Sequence, residues 1–243
     1  CALSRPLIAK HQVLLAKKEK TDAVAHGCTG KGNDQVRFEV TAQLINPKIK
    51  TIAPVRIWEF KTRNQEIDYL KSKGIDLHVT KKSPYSLDTN LYGRAIECGI
   101  LEDPWNEPPE DIYAMTTSPE QAPNKPSYVT IDFAKGLPKK INGQAYDPVS
   151  LIKKLNQLGG KNGIGRVDMV ENRLVGIKSR EIYGNPAGEI LHKALHELEC
   201  LVLDRDTMSH KQALSQKYAE LTYNGLWYTP LKSQLDAYFN KVH

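Results

Sequence analysis

The sequence predicts an α/β protein on three observations. Residues 1–75 alternate helical periodicity with short apolar steps, a glycine-rich turn joins one such step to a helix, and the composition changes after residue 80. Over residues 4–20, Leu7, Ile8, His11, Leu14 and Leu15 recur at helical spacing. Residues 22–25 read as a short buried strand. A helix follows from about Asn33 to Leu44 and is stopped by Asn46-Pro47, because the residue before proline is driven out of the helical region. "IKTIAPV" (49–55) is a second strand, and "RNQEIDYLKSKGI" (63–75) is a helix closed by Gly74. Helix, strand, helix, strand, helix is the order of a parallel sheet covered by helices.

After a boundary expected near residues 76–80, "KKSPYS", "EDPWNEPPED" and "TTSPEQAPNKPS" read as loops. "YVTIDFAKGLPKKINGQAY" alternates like a β-hairpin. "SLIKKLNQLGGKNG" is a helix stopped by Gly159 and Gly160, and "IGRVDMVENRLVGIKS" is two strands about a Glu171-Asn172 turn. Residues 187–225 form a long helical region divisible into two helices, and "LKSQLDAYFNKVH" is amphipathic. The second part is therefore α+β.

With 243 residues, 40% of them hydrophobic and 26% charged, the chain has the composition of a globular protein. No apolar run approaches the ~20 residues of a membrane span. The net charge of +6 suits anionic ligands, but the basic residues are dispersed and no basic block interleaves with aromatics, so nucleic acid is not expected as a partner. Cys1, Cys28, Cys98 and Cys200 form no C-x-x-C pair, which fits reduced thiols in the cytoplasm. Opening at Cys1 within an apparent helix, and closing on a helix cut short, the chain reads as a fragment.

The loop "AHGCTGKGNDQVRFE" (25–39) carries the main chemical signal. A strand, a tight turn and a helix N-terminus present backbone N–H groups and the helix dipole to an anion. Gly27, Gly30 and Gly32 allow close approach, and Lys31 adds charge. The pattern is neither a Walker loop nor G-x-G-x-x-G. It is equally consistent with a turn whose Asn33 or Asp34 caps the helix. Asn33, Asp34 and Arg37 can share one helix face, where Arg37 could grip a carboxylate and the other two an ammonium or ureido group. That set suits a zwitterionic amino acid; an Asp34–Arg37 surface pair is the plainer alternative. Glu171 and Tyr183 could receive an amino group, or be ordinary hairpin residues. Ser86 and Asp88 could touch a ligand or cap a following helix. His192 and His196 stand at i, i+4, but no third ligand or H-E-x-x-H order makes them a metal site.

"ALSRPLIAK", "HGCTGKGNDQVRFE", "SPYSLDTNLYGR", "ECGILEDPW", "GRVDMVENRLVGIKSREIYGNPAG" and "KYAELTYNGLWYTP" together resemble the argininosuccinate synthase family, in order along nearly the whole chain. The resemblance implies ATP-dependent ligation of citrulline and aspartate, with Mg, through a citrulline-adenylate, in arginine biosynthesis by a cytoplasmic homotetramer. It implies an adenine nucleotide alpha hydrolase-like fold, with residues 1–76 as the back half of the nucleotide-binding domain. Residues 77–230 would be the synthetase/oligomerisation domain, and 231–243 the start of a C-terminal helix. Carried over position by position, Gly27 would contact ATP; Thr29, Asn33 and Asp34 would hold aspartate; Asn33, Arg37, Ser86, Glu171 and Tyr183 would hold citrulline. No catalytic residue and no protein metal ligand is assigned.

Two departures stand out. Ala95 occupies a position where the family has a second citrulline-side Ser, which predicts weaker citrulline binding, and Cys1 stands where Thr or Ser is expected. The family's pyrophosphate loop, a citrulline-contacting Tyr and most of the C-terminal tail are not in the chain, so the isolated chain is expected not to turn over. The rival readings are a non-catalytic amino-acid-binding module of the same fold and a different ligase of the same nucleotide-binding superfamily. The latter often carries paired cysteines, which are not seen here.

Overall fold

The computed structural model describes residues 2–60, 63–75 and 85–242. Helix α1 (Ser4–Lys18) leads to β1 (Ala23–Ala25), and α2 (Asp34–Ile45) leads to β2 (Lys50–Ile52). The two strands pair in parallel, with Val24 opposite Thr51, as the alternating pattern predicts. The second strand is shorter than expected, because Pro54 turns the chain into a 3-10 turn at Pro54–Arg56. In α1 the buried residues are Pro6, Ala9, Val13 and Ala16, spaced three and four apart. These small side chains let α2 approach closely, and Val13, Ala16, Ala42 and Ile49 form one apolar cluster. The leucines that signalled the helix, Leu7, Leu14 and Leu15, face outward. Helix α3 (Arg63–Ser72) ends where Gly74 takes a left-handed φ of +71°, as read from the sequence. The expected boundary at residues 76–80 lies outside the described residues.

The remainder begins with β3 (Ser86–Thr89) and β4 (Arg94–Glu97). A meander follows, made of β5 (Ile131–Ala134), β6 (Leu137–Ile141) and β7 (Gln144–Ala145), where a simple hairpin was expected. Then come α4 (Pro148–Lys161), β8 (Arg166–Asn172), β9 (Lys178–Gly184), α5 (Pro186–Val202), α6 (Arg205–Tyr223) and α7 (Pro230–Val242). The long helical region divides at Asp204, whose carboxylate accepts from the amides of Asp206 and Thr207 and so starts α6.

Three sequence expectations change. Gly159 and Gly160 do not stop α4 but lie inside it; a Cβ on Gly159 would come within 2.9 Å of Ile190 and Pro186, and one on Gly160 would press on the Met115 carbonyl. The stop comes at Asn162 and Gly163, the latter at φ +71°. The turn between β8 and β9 is not at Glu171-Asn172 but at Arg173–Gly176, closed by Gly176 N–H donating to the Arg173 carbonyl at 2.9 Å. No helix follows Asp88; Asn90 and Gly93 instead turn β3 back into β4.

The main sheet runs β3-β4-β9-β8, all antiparallel. Alternation divides its side chains between two faces. Ile96 and Ile182 point to one face and bury against Leu101 and Ile112. The opposite face carries the polar row. Ser86 stands opposite Glu97, and Asp88 opposite Ala95, which in turn stands opposite Tyr183. On β8, Glu171 pairs with Ser179. An apolar face held on a core thus presents a rigid polar face to the glycine loop.

Candidate functional site

The loop between β1 and α2 leaves the carboxyl end of a parallel strand, the edge at which open α/β sheets bind ligands. Its shape is held from beneath. His26 Nδ1 accepts from the Cys28 amide at 3.2 Å, so the ring proton sits on Nε2, 3.3 Å from Glu39 Oε1. Glu39 also pairs with Arg56 at 2.6 Å. Arg56 donates to Gln35 Oε1, and the Gln35 amide donates to the Gly30 carbonyl at 2.7 Å. The glycines themselves are not explained by folding. Gly27, Gly30 and Gly32 do not take positive φ, and a Cβ on any of them would meet nothing nearer than 3.7 Å. The open side of the loop, where Gly27, Thr29 and Gly30 are exposed, is free for a ligand's approach.

Asn33 precedes α2 but makes no side-chain cap. This removes the plainer reading in which Asn33 is there to start the helix. Its carbonyl oxygen accepts from the Leu174 amide at 2.7 Å, and its NH2 donates to Tyr223 Oη at 2.7 Å. Asp34 takes Arg37 Nη1 at 3.1 Å and Arg5 Nε at 2.7 Å; Arg5 reaches on to Asp88 at 2.9 Å. The Asp34–Arg37 pair is therefore not an isolated surface pair. Arg37 is 7% exposed, donates from Nε to the Tyr223 carbonyl at 2.8 Å, and lies over the Tyr223 ring.

The sheet completes the enclosure. Glu171 is buried, and its two carboxylate oxygens meet two phenols: Tyr183 at Oε1, and Tyr223, which donates to Oε2 at 2.6 Å. Tyr183 also stands 2.8 Å from Glu181 and has one proton to offer between the two carboxylates. Burial, then Glu171 and Glu181, hold the Tyr183 phenol far above its ordinary range; burial and Glu171 do the same to Tyr223. Arg173, in the turn after β8, pairs with Glu97 and with Glu181 at 3.2 Å, and its other nitrogen donates to the Lys31 carbonyl at 3.3 Å. Burial raises the Glu97 carboxyl, Glu181 and other nearby carboxylates add to this, and Arg173 opposes it.

The structure thus brings Asn33, Asp34, Arg37, Glu171 and Tyr183 into one hydrogen-bonded assembly, Asn33 from the end of the loop, Asp34 and Arg37 from the first turn of α2, and Glu171 and Tyr183 from the sheet. Ser86 lies on the same sheet face, exposed, beside Glu97. Gly27 and Thr29 sit on the open rim of the loop and not in the assembly. Arg5, Glu97, Arg173, Glu181 and Tyr223 join the same network of hydrogen bonds and ion pairs but have no local signal in the sequence; Tyr223 is 190 residues from Asn33 and stands in an ordinary helix end. Five carboxylates (Asp34, Asp88, Glu97, Glu171, Glu181) surround three guanidinium groups (Arg5, Arg37, Arg173), a surplus that suits ammonium groups. Arg37 supplies a place for a carboxylate, and the loop amides a place for phosphate oxygens.

Residues 1–76 match the family model described as the argininosuccinate synthase N-terminal HUP domain, and residues 85–243 match the argininosuccinate synthase C-terminal domain. An argininosuccinate synthase of Caldanaerobacter subterraneus subsp. tengcongensis is 57% identical over 241 residues, covering 99% of this chain and 59% of the relative. That of Carboxydothermus hydrogenoformans is 58% identical over 241 residues, covering 99% and 60%. That of Aquifex aeolicus is 54% identical over 243 residues, covering 99% and 61%. The chain spans about three fifths of the length of these curated relatives. With both domain models matched in order along it, the chain belongs to the argininosuccinate synthase family.

Proposed function

We propose that this chain forms the amino-acid-binding part of an enzyme that joins citrulline to aspartate at the expense of ATP. The supporting observation is the assembly in which Asn33 at the end of the glycine loop and Arg37 in α2 meet Glu171 through Tyr223. In this reading the citrulline carboxylate lies on Arg37, and its ammonium group lies between Glu171 and Tyr183, with Ser86 alongside. Asn33 serves the boundary between the two amino acids. Thr29, Asn33 and Asp34 hold aspartate, and Gly27 lies under ATP. The ureido oxygen attacks the α-phosphorus and releases pyrophosphate; the aspartate amine then displaces AMP. These residues contribute alignment and charge complementarity, so that two zwitterions and a polyanion meet at one point.

Magnesium enters as the companion of the triphosphate. Among the described residues no group of three or more His, Cys, Asp or Glu side chains is arranged to hold a metal, and no step is assigned to one. The division into residues 1–76, 77–230 and 231–243 is retained as part of the proposal, as is assembly into a homotetramer. Among the described residues no helix is long and apolar enough to cross a membrane. The free thiols of Cys28, Cys98 and Cys200 support a cytoplasmic setting.

Titration calorimetry tests the binding reading: citrulline is expected to bind the chain, and a chain that gives no heat with millimolar citrulline overturns it. Pyrophosphate release from MgATP with citrulline and aspartate tests the ligation: this chain by itself is expected not to turn over, and turnover near that of a complete enzyme would overturn that expectation.

A further inference from the structure

We infer that Tyr223, at the C-terminal end of α6, is a positioning residue for the ammonium end of citrulline. This deepens the citrulline reading above and rests on it.

Tyr223 touches three of the residues proposed to hold citrulline, through three different parts of itself. Its hydroxyl donates to Glu171 Oε2 at 2.6 Å and accepts from Asn33 Nδ2 at 2.7 Å. Its ring lies 5.0 Å from the Arg37 guanidinium carbon, and its carbonyl accepts from Arg37 Nε at 2.8 Å. A hydroxyl with one donor and one acceptor in use has a fixed direction. Its donation turns the Glu171 carboxylate so that Oε1 faces Tyr183. The backbone carbonyl and the ring of the same residue hold Arg37. One residue therefore sets the separation between the anionic and cationic holders of an amino acid, and a small error in such a separation weakens both grips.

The placement is built into the end of the helix. Gly225 follows at φ +76°, and its amide donates to the Thr222 carbonyl. A Cβ on Gly225 would fall 2.8 Å from Arg37 Cα, so the chain passes as close to α2 as backbone permits. Thr41 donates to the Gly225 carbonyl at 3.4 Å from one turn further along α2. The C-terminal end of α6 is thereby fastened to α2 by groups other than the Tyr223 hydroxyl, which leaves that hydroxyl to orient Glu171 and Asn33.

The variant Tyr223→Phe keeps the ring and the carbonyl and removes only the hydroxyl. Its citrulline affinity, measured by calorimetry, is expected to fall about tenfold, as for loss of a hydrogen bond to a charged group. Binding of 5-ureidopentanoate, which is citrulline without its α-ammonium group, is expected to change less than twofold. The melting temperature is expected to stay within about 4 °C. Equal losses for both ligands would make Tyr223 a fastening of the fold and overturn the inference, as would unchanged citrulline affinity in the folded variant. Absence of citrulline binding by the unaltered chain would instead overturn the site reading itself, and the role of Tyr223 with it.

Discussion

Arg37 and Ala95 show how single side chains are interpreted by their surroundings. Arg37 is buried and committed to Asp34 and the Tyr223 carbonyl, so it is a preset guanidinium and not a mobile surface charge. Arg37→Ala is expected to weaken citrulline binding by about 2 kcal/mol, roughly thirtyfold, when followed by calorimetry. Unchanged affinity would remove Arg37 from the ligand's path. Ala95 stands opposite both Asp88 and Tyr183 on the polar face of the sheet. Ala95→Ser adds a hydroxyl to that row and is expected to tighten citrulline binding several-fold, as one added neutral hydrogen bond would. Weaker binding by the variant would show that the methyl group is the better fit. Local pattern singled out Arg37 and the family resemblance singled out Ala95, but neither ranks them, because burial and pairing across strands are not written in local spacing.

Among elements, the glycines of the loop and those of α4 look alike in sequence and differ in cause. Gly160 lies inside α4 with the Met115 carbonyl where a Cβ would go, and the Gly160 carbonyl accepts from the Thr117 amide at 2.9 Å. Gly160→Ala is expected to cost about 1–3 kcal/mol of stability by overpacking, despite the better helix propensity of alanine. Gly30 has open space beside it. Gly30→Ala should leave the melting temperature nearly unchanged while weakening nucleotide binding, because only a ligand would meet the added methyl. Thermal melts of the two variants, with nucleotide titration of the second, check the contrast. A large loss of stability in Gly30→Ala would mean that the loop's glycine serves folding. From sequence, Gly159-Gly160 read as a helix stop because glycine usually is one; close packing against α5 and the 115–117 segment overrode propensity.

At the level of the whole molecule, the site exists only where three distant segments close on one another: the loop before α2, the polar face of the β3-β4-β9-β8 sheet, and the C-terminal end of α6. Gly225→Ala tests that closure. It combines a strained left-handed backbone with a clash on Arg37, so a loss of about 2 kcal/mol or more is expected. Citrulline affinity should fall with it; a variant that melts early yet binds citrulline normally would separate the seam from the site. By itself the sequence determined most helices, the parallel pairing of the two short strands and the glycine loop with Asn33, Asp34 and Arg37 on one helix face, because periodicity and turn residues are local; Glu171 and Tyr183 were set apart from ordinary hairpin residues only through the family resemblance. Only the tertiary structure decided that Asn33 does not cap α2, that Glu171 is buried between two phenols, and that Arg5, Arg173 and Tyr223 complete the enclosure. Those facts depend on contacts across up to 190 residues of chain, and such contacts are set by which faces pack together, not by which residues are neighbours.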